Sequence, residues 1–92
     1  MINLNEVFLI GRIITDIEFK FIIHSKNISI AQFEIMVLDD KQVIQIAAYN
    51  EMADFVYSKL NKNDRVCING YIVANNIILT MVESFNDENF KN

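Results

Sequence analysis

Proline and tryptophan are absent from the 92-residue chain, and glycine and cysteine are scarce. Because Cys67 is the only cysteine, no disulfide can form within the chain, and its apolar surroundings predict a small buried residue. No apolar run approaches the ~20 residues of a membrane span, and the N-terminus lacks a secretory pattern. These absences predict a cytoplasmic protein that has no membrane partner.

Catalytic and metal-ligating patterns are also missing. A single histidine, His24, and a single cysteine provide no grouped metal ligands, and no phosphate-cradling or nucleophile motif is present. His24 lies in a predicted turn and is expected to be a surface residue. We therefore predict no enzyme activity, no metal and no cofactor.

The residues that are present suit one folded, acidic domain. Hydrophobic residues make up 52% of the chain, and the formal net charge is −4. A chain of this length forms one domain with a real core but is too short for two. Acidity weighs against nucleic-acid binding, because Lys and Arg neutralise phosphates, so such a function requires a locally basic groove.

Period-2 alternation predicts a set of short strands. They cover residues 6–14, 17–23, 28–38, 42–49, 65–73 and 77–83. Gly11 and Gly70 interrupt two of them and predict bulges or bends. Residues 24–27, 39–40 and 74–76 predict turns, because Asp and Asn accept turn geometry.

A single helix is predicted over residues 51–60, with Asn50 as its N-cap. Its apolar stripe consists of Met52, Phe55, Val56 and Leu60. If residues 6–23 form one long bent strand, the order is three strands, a helix and two strands. That order predicts an all-β, five-stranded OB-fold barrel with one helix between strands 3 and 4. The barrel would span residues 1–83, with 84–92 as a short polar tail.

Apolar residues on the inward phase of each strand are expected to fill the barrel. Val66, Ile68 and Ile72 should share one face of their strand. The phenylalanines expected mainly in the core are Phe8, Phe19, Phe21, Phe33 and Phe55.

Five segments resemble, in unbroken order, motifs of bacterial single-stranded-DNA-binding proteins. Residues 7–13 resemble the opening strand of that family, a hydrophobic run ending in Gly-Arg-Leu. Residues 31–35 resemble its Ala-Asn-Phe-Thr-Leu, and residues 48–53 resemble its strand-to-helix junction, an aromatic followed by Gly-Lys-Leu-Ala. Residues 60–66 resemble Leu-Lys-Lys-Gly, and residues 68–70 resemble Val-Glu-Gly.

This resemblance implies sequence-nonspecific binding of single-stranded DNA in replication, recombination or repair. It also implies a homo-oligomer, either dimer or tetramer, and replication proteins as partners. Family members stack bases on aromatic rings, each worth ~1–3 kcal/mol, and follow the DNA backbone with basic residues. By position, Tyr49 is expected to stack, and Arg12, Lys20 and Lys62 to contact DNA. Tyr71 has no family counterpart and is added because its phase points outward.

The chain also departs from the family pattern. No tryptophan is present, and Val43 stands where a stacking Trp is often found. The loops that join strands 2–3 and 4–5 are short, although in the family they carry further contacts. We therefore expect weaker binding and a smaller footprint.

Two other functions fit the same fold. One is a protein-interaction module that resembles primosomal replication protein B and binds nucleic acid weakly, which the short loops and acidic charge favour. The other is a structural subunit whose exposed β-edge only assembles copies. Clustering of Lys20, Tyr49 and Lys62 on one surface would favour DNA, because the fold alone does not decide the function.

Overall fold

The computed structural model describes residues 5–23, 27–39 and 41–85. Within these ranges the chain forms β1 (Glu6–Ile13), β2 (Glu18–Ile23), β3 (Asn27–Val37), β4 (Val43–Tyr49), α1 (Glu51–Lys59), β5 (Arg65–Val73) and β6 (Asn76–Ser84). No helix in the described ranges is long and apolar enough to cross a membrane. Of the predicted turns, 24–26 and Asp40 lie outside the described residues, and so does the predicted tail beyond Phe85.

The strands close into a barrel because β3 pairs with two partners along its length. Its C-terminal part pairs with β1, with Ile35 opposite Ile13, and its N-terminal part pairs with β2, with Ile30 opposite Lys20. The ring runs β1-β5-β6-β4-β3 and returns to β1. β1 and β2 therefore act as two halves of one bent strand. Counted that way, the five-stranded OB-fold barrel with its helix between strands 3 and 4 is confirmed.

The core consists of alternate residues from every strand of the ring, joined by one face of the helix. The largest fully buried side chains are Ile13, Ile35, Ile46, Val56, Val66 and Ile68. From α1, Ala53 and Val56 are buried, followed by Leu60 just beyond the helix. The predicted helical stripe is thus correct at Val56 and Leu60, whereas Met52 is only partly buried.

The two glycines act differently. At Gly70 the β5–β6 register shifts by one residue, because Thr80 of β6 is the extra residue between the pairs Asn69–Met81 and Gly70–Leu79. A Cβ at Gly70 would lie 2.5 Å from the carbonyl oxygen of Ile78. At Gly11 the β1–β5 ladder keeps its register, so of the predicted bulge or bend there is no bulge, and β1 pairs here with both β3 and β5. A Cβ at Gly11 would lie 2.5 Å from the carbonyl oxygen of Met36, so this glycine permits the close approach of β1 to β3.

The core prediction is wrong for three of the five phenylalanines. Phe8, Phe21 and Phe55 are 56%, 54% and 44% exposed. Phe33 is buried, and Phe19 is partly buried against the core with its ring 4.8 Å from that of Tyr57.

Each exposed phenylalanine has a geometric cause. In β1 the inward positions belong to Val7 and Leu9, so alternation turns Phe8 outward. Phe21 lies on β2, which pairs with β3 outside the closed ring. Phe55 lies on the flank of α1, because Ala53 and Val56 define its buried side.

The β5–β6 hairpin corrects two further expectations. Ile72, predicted to share a face with Val66 and Ile68, keeps their phase and lies opposite the buried Ile77, but it is exposed because it lies near the hairpin tip, where residues 71–75 are all exposed. Cys67 is half-buried, since the inward phase belongs to Val66 and Ile68. The turn is a two-residue one with positive φ at Ala74 (48°) and Asn75 (71°), which is typical of type I′.

Asn50 precedes the helix as predicted, but its side chain makes no capping hydrogen bond. Its φ is 57°, and its backbone carbonyl accepts a hydrogen bond from the N–H of Asp54 at 3.0 Å. The residue therefore acts through its tolerance of a left-handed backbone rather than as a side-chain cap.

Candidate nucleic-acid interface

Strand pairing orders the side chains on the outer face of β2, β3 and β4. Residues directly opposite each other on paired strands point to the same face. On β3 the outward positions are Ile30, Gln32, Glu34 and Met36, which alternate with the buried Ala31, Phe33 and Ile35. Each outward position starts a row that crosses the neighbouring strands, and the rows are named here by their central residue.

The Ile30 row carries the predicted stacking residue. Lys20 of β2 lies opposite Ile30, and Ile30 lies opposite Tyr49 of β4. Tyr49 is 42% exposed, and Lys20 is also exposed. Two strand spacings, or about 10 Å, separate the Lys20 and Tyr49 backbones. A cation and an aromatic ring are therefore presented together at one end of the face.

The Met36 row brings cations to the other end. Met36 lies opposite Arg12 of β1, and Arg12 lies opposite Arg65 of β5. The Arg12 Nη1 donates a hydrogen bond to the carbonyl oxygen of Asn63 at 3.3 Å, which ties β1 to the turn that contains Lys62. The predicted residues Arg12 and Lys62 are thus neighbours, and Arg65 joins them.

Between these two rows lies a groove of about 420 Å³. Its lining includes three carboxylates, Asp16, Glu18 and Glu34, and three amides, Gln32, Gln45 and Asn76. Thr15, Phe33, Ile46 and Ala47 complete the lining, and Ala47 is the small residue opposite Gln32. No lysine or arginine lines the groove.

Hydrogen bonds hold the centre of this groove. The backbone N–H of Glu34 donates to Thr15 Oγ1 at 3.0 Å, which anchors the segment between β1 and β2 against β3. Gln45 Nε2 lies 3.4 Å from Glu34 Oε2, across the Glu34 row. The carboxylate of Glu34 therefore has a side-chain neighbour and still lines the groove.

Tyr71 lies at the far end of the Gln32 row. Ala47 of β4 lies opposite Ile78 of β6 in a parallel pair, and Ile78 lies opposite Tyr71 of β5. Tyr71 is exposed, as predicted from its phase. About 10 Å, or two strand spacings, separates it from the Ala47 backbone at the groove.

The predicted site residues therefore fall into groups rather than one cluster. Lys20 lies with Tyr49, Arg12 lies with Lys62, and Tyr71 lies apart. The two cationic ends are six residues apart along β3, from Ile30 to Met36, or about 20 Å.

Sequence reasoning missed Arg65 and the groove. The phase of Arg65, opposite to that of Val66 and Ile68, was a usable signal for an outward side chain. The alternation of β3 also placed Gln32 and Glu34 on its wetter face. The sequence did not reveal the registers of the β2–β3 and β3–β4 pairs, which place Gln32 beside Glu18 and Glu34 beside Gln45.

A second exposed surface lies on the outer side of β1, β5 and β6, and we call it the Phe8 face. Phe8 lies opposite Asn69, which lies opposite Met81, and Met81 is 59% exposed. In the next row, Ile10 lies opposite Cys67. The exposed large side chains of this face are apolar, although Asn69 lies between Phe8 and Met81 and Glu83 lies opposite Cys67.

Within residues 5–23, 27–39 and 41–85, no three His, Cys, Asp or Glu side chains are grouped in a way that could hold a metal ion. The three carboxylates of the groove are therefore separate charges on a shared surface.

Comparison with known proteins gives one family. The sequence model of the single-strand binding protein family matches residues 4–78. No curated protein matches the chain.

Solved structures show the same fold. The wild-type single-stranded DNA binding protein from Thermus aquaticus superposes with a TM-score of 0.79 at 18% identity, covering 90% of this chain and 41% of that one. The SSB domain of a protein from Synechococcus sp. superposes with a TM-score of 0.79 at 12% identity, covering 90% of this chain and 98% of that one. The chain thus spans about two fifths of the length of the Thermus protein.

Proposed function

The chain belongs to the single-strand binding protein family, and from that premise we propose that it binds single-stranded DNA without recognising a defined sequence. The family match over residues 4–78 is the observation that carries the proposal. The roles that we propose for this binding are in DNA replication, recombination or repair.

Tyr49 is proposed as the main stacking residue. Its ring is exposed at the C-terminal end of β4, and Lys20 lies in the same row. Base stacking on an aromatic ring accepts every base, because each base has a π-face. A base on Tyr49 would also bring its phosphate within reach of the flexible Lys20 side chain.

Phosphates are proposed to contact the two ends of the groove rather than its middle. The middle carries carboxylates, which repel phosphates, whereas Lys20 lies at one end and Arg12 and Lys62 at the other. This arrangement supplies the local positive charge that the acidic chain otherwise lacks. A cation at each end of a path of about 20 Å suits a short footprint.

Tyr71 is proposed as an accessory stacking residue. It ends the Gln32 row on β5 and is exposed. A strand that crosses the barrel along this row instead of along β3 would meet its ring. Loss of affinity on replacing Tyr71 would therefore indicate a DNA strand that runs along the Gln32 row, whereas loss on replacing Tyr49 alone would indicate a strand that runs along β3.

We propose that the protein forms a homo-oligomer, a dimer or a tetramer, through the Phe8 face. Burying the exposed side chains of Phe8, Ile10 and Met81 against a second copy would remove apolar area from water at about 25 cal/mol per Å². Assembly would also link several weak sites on one DNA strand. Replication proteins in the cytoplasm are the proposed further partners.

A protein-interaction module with weak nucleic-acid affinity is the alternative. The carboxylate-lined groove favours it, because such a surface repels phosphates. Family membership favours DNA, and the two functions make opposite predictions for a direct binding test.

That test is fluorescence anisotropy of labelled single-stranded DNA, titrated with the protein at low and at moderate salt. We expect saturable binding that exceeds binding to duplex DNA of the same length and weakens as salt rises. A folded protein that binds neither form at low salt would contradict the proposal and favour the interaction module.

A further inference from the structure

We infer that the groove between the two cationic ends selects bases with exocyclic amino groups, so that the protein prefers cytosine and adenine over thymine. This inference rests on the proposed binding of single-stranded DNA and specifies which strands that site takes. It concerns the side chains that line the groove, Gln32 and Glu34 among them, which have no role in the binding proposed above.

The position of the groove is the first observation. It lies on the outer face of β3, between the Ile30 row with Lys20 and Tyr49 and the Met36 row with Arg12. A strand held at both ends must cross it. Single-stranded nucleic acid turns its unstacked base edges toward the protein and forms hydrogen bonds on them.

The charge of the groove decides which part of the strand can face it. Asp16, Glu18 and Glu34 line it, and no cation does. A phosphate about 4 Å from one carboxylate is disfavoured by about 1 kcal/mol even in bulk water. The sugar-phosphate backbone is therefore directed away from the groove, and the bases are directed into it.

The chemistry of the lining then separates the bases. Carboxylates accept hydrogen bonds from the N4 amino group of cytosine, and amides such as Gln32 and Asn76 pair with the N6 and N7 of adenine. Thymine presents the carbonyl oxygens O2 and O4 on either side of its single N3–H donor. The amides and the Thr15 hydroxyl can donate to these oxygens, but the three carboxylates only accept hydrogen bonds and repel them. Thymine is thus the base that the groove disfavours.

Glu34 is the specificity-determining residue in this account. Its backbone N–H donates a hydrogen bond to Thr15 Oγ1, and its carboxylate, which lines the groove, lies beside Gln45 Nε2. Glu18 belongs to the adjacent Gln32 row and is exposed. Replacing either carboxylate by its amide keeps the shape and removes the charge.

The test compares oligo(dC) with oligo(dT) of equal length by fluorescence anisotropy, at slightly alkaline pH and constant salt. For the wild-type chain we expect oligo(dC) to bind about fivefold or more tightly than oligo(dT), the lower end of the discrimination expected from one base-edge contact. In Glu34→Gln we expect tighter binding of oligo(dT) and a ratio close to one. Glu18→Gln should change the ratio in the same direction.

Asp54→Asn is the matched control. Asp54 is exposed on α1 and belongs neither to any of the rows nor to the Phe8 face, so this variant removes the same charge elsewhere. It should leave the ratio of the two affinities unchanged. A ratio that falls equally in Glu34→Gln and Asp54→Asn would overturn the inference.

The remaining outcomes distinguish this inference from the proposed function. Equal or tighter binding of oligo(dT) by the wild-type chain would overturn the inference and leave single-strand binding standing. Binding of neither oligonucleotide would overturn both.

Discussion

At the scale of single residues, Tyr49 links the fold to the proposed function most directly. We expect Tyr49→Ala to weaken single-strand binding by ~1–3 kcal/mol, because it removes a stacking surface from the outer face. Tyr49→Phe should keep most of the affinity, since the ring remains. Anisotropy titrations measure the change, and circular dichroism confirms folding. Equal affinity in Tyr49→Ala and in the wild-type chain would contradict the stacking role.

The cations at the ends of the groove predict a change in salt dependence. Arg12→Gln and Lys62→Gln should each reduce the slope of log K against log [salt] by about 0.7, the value for one phosphate contact on a single strand. Lys59→Gln is the control, because Lys59 lies in the last turn of α1 and in none of the rows. An equal reduction in all three variants would indicate a general charge effect.

Residue types and strand phase in the sequence predict the exposed positions of Tyr49, Lys20 and Tyr71. They do not predict that Phe8 faces outward, because an unbroken apolar run such as residues 7–10 gives no alternation to read. Arg65 shows the opposite case, where the phase is clear but the neighbour across the strand is not. Which residues lie opposite each other depends on contacts between strands that are distant in sequence, so the register could not be predicted from the sequence.

At the scale of elements, the turn of the β5–β6 hairpin has a strained backbone at Ala74 that a substitution can relieve. Ala74 adopts a φ of 48°, a left-handed conformation that costs an L-residue roughly 1–2 kcal/mol. We expect Ala74→Gly to raise the free energy of unfolding by about 0.5–1 kcal/mol, because glycine accepts positive φ. Thermal or denaturant unfolding measures the change.

Ala74→Val provides the opposite substitution for this hairpin. A β-branched side chain disfavours positive φ further, so this variant should be less stable than the wild-type chain. If Ala74→Gly is no more stable than Ala74→Val, the turn does not hold the strain assigned to it.

The order and type of the elements followed from the sequence because the strands and helix have clear periods and turn residues. The boundaries of β3, β4, α1 and β5 lie within a residue or so of the prediction. The change of phase in β6 between Leu79 and Val82 was not predictable, because it depends on the register in which β6 pairs with β5. The extra residue is Thr80, so the inward positions of β6 pass from Ile77 and Leu79 to Val82 instead of to Met81.

At the scale of the whole molecule, the Phe8 face predicts assembly. We expect the wild-type protein to sediment as an oligomer and Phe8→Asp to shift it toward the monomer, because the charge would enter an apolar interface. Since Phe8 is exposed within one chain, the variant should fold. Sedimentation velocity or light scattering gives the mass.

Phe55→Asp is the control for assembly. Phe55 is also an exposed phenylalanine, but it lies on the helix and away from the Phe8 face. This variant should keep the wild-type mass. A monomeric wild-type protein, or an unchanged oligomer in Phe8→Asp, would contradict an interface on the Phe8 face.

The central claim is that single-stranded DNA crosses the outer face of β3 and β4, between the Ile30 and Met36 rows. The most direct measurement is NMR mapping of backbone amide shifts in the labelled protein as a mixed-sequence single strand is added. We predict that the largest shifts occur at Lys20, Gln32, Glu34 and Tyr49, with small shifts at Phe8 and Met81. Large shifts confined to the Phe8 face, or none at saturating DNA, would contradict the claim.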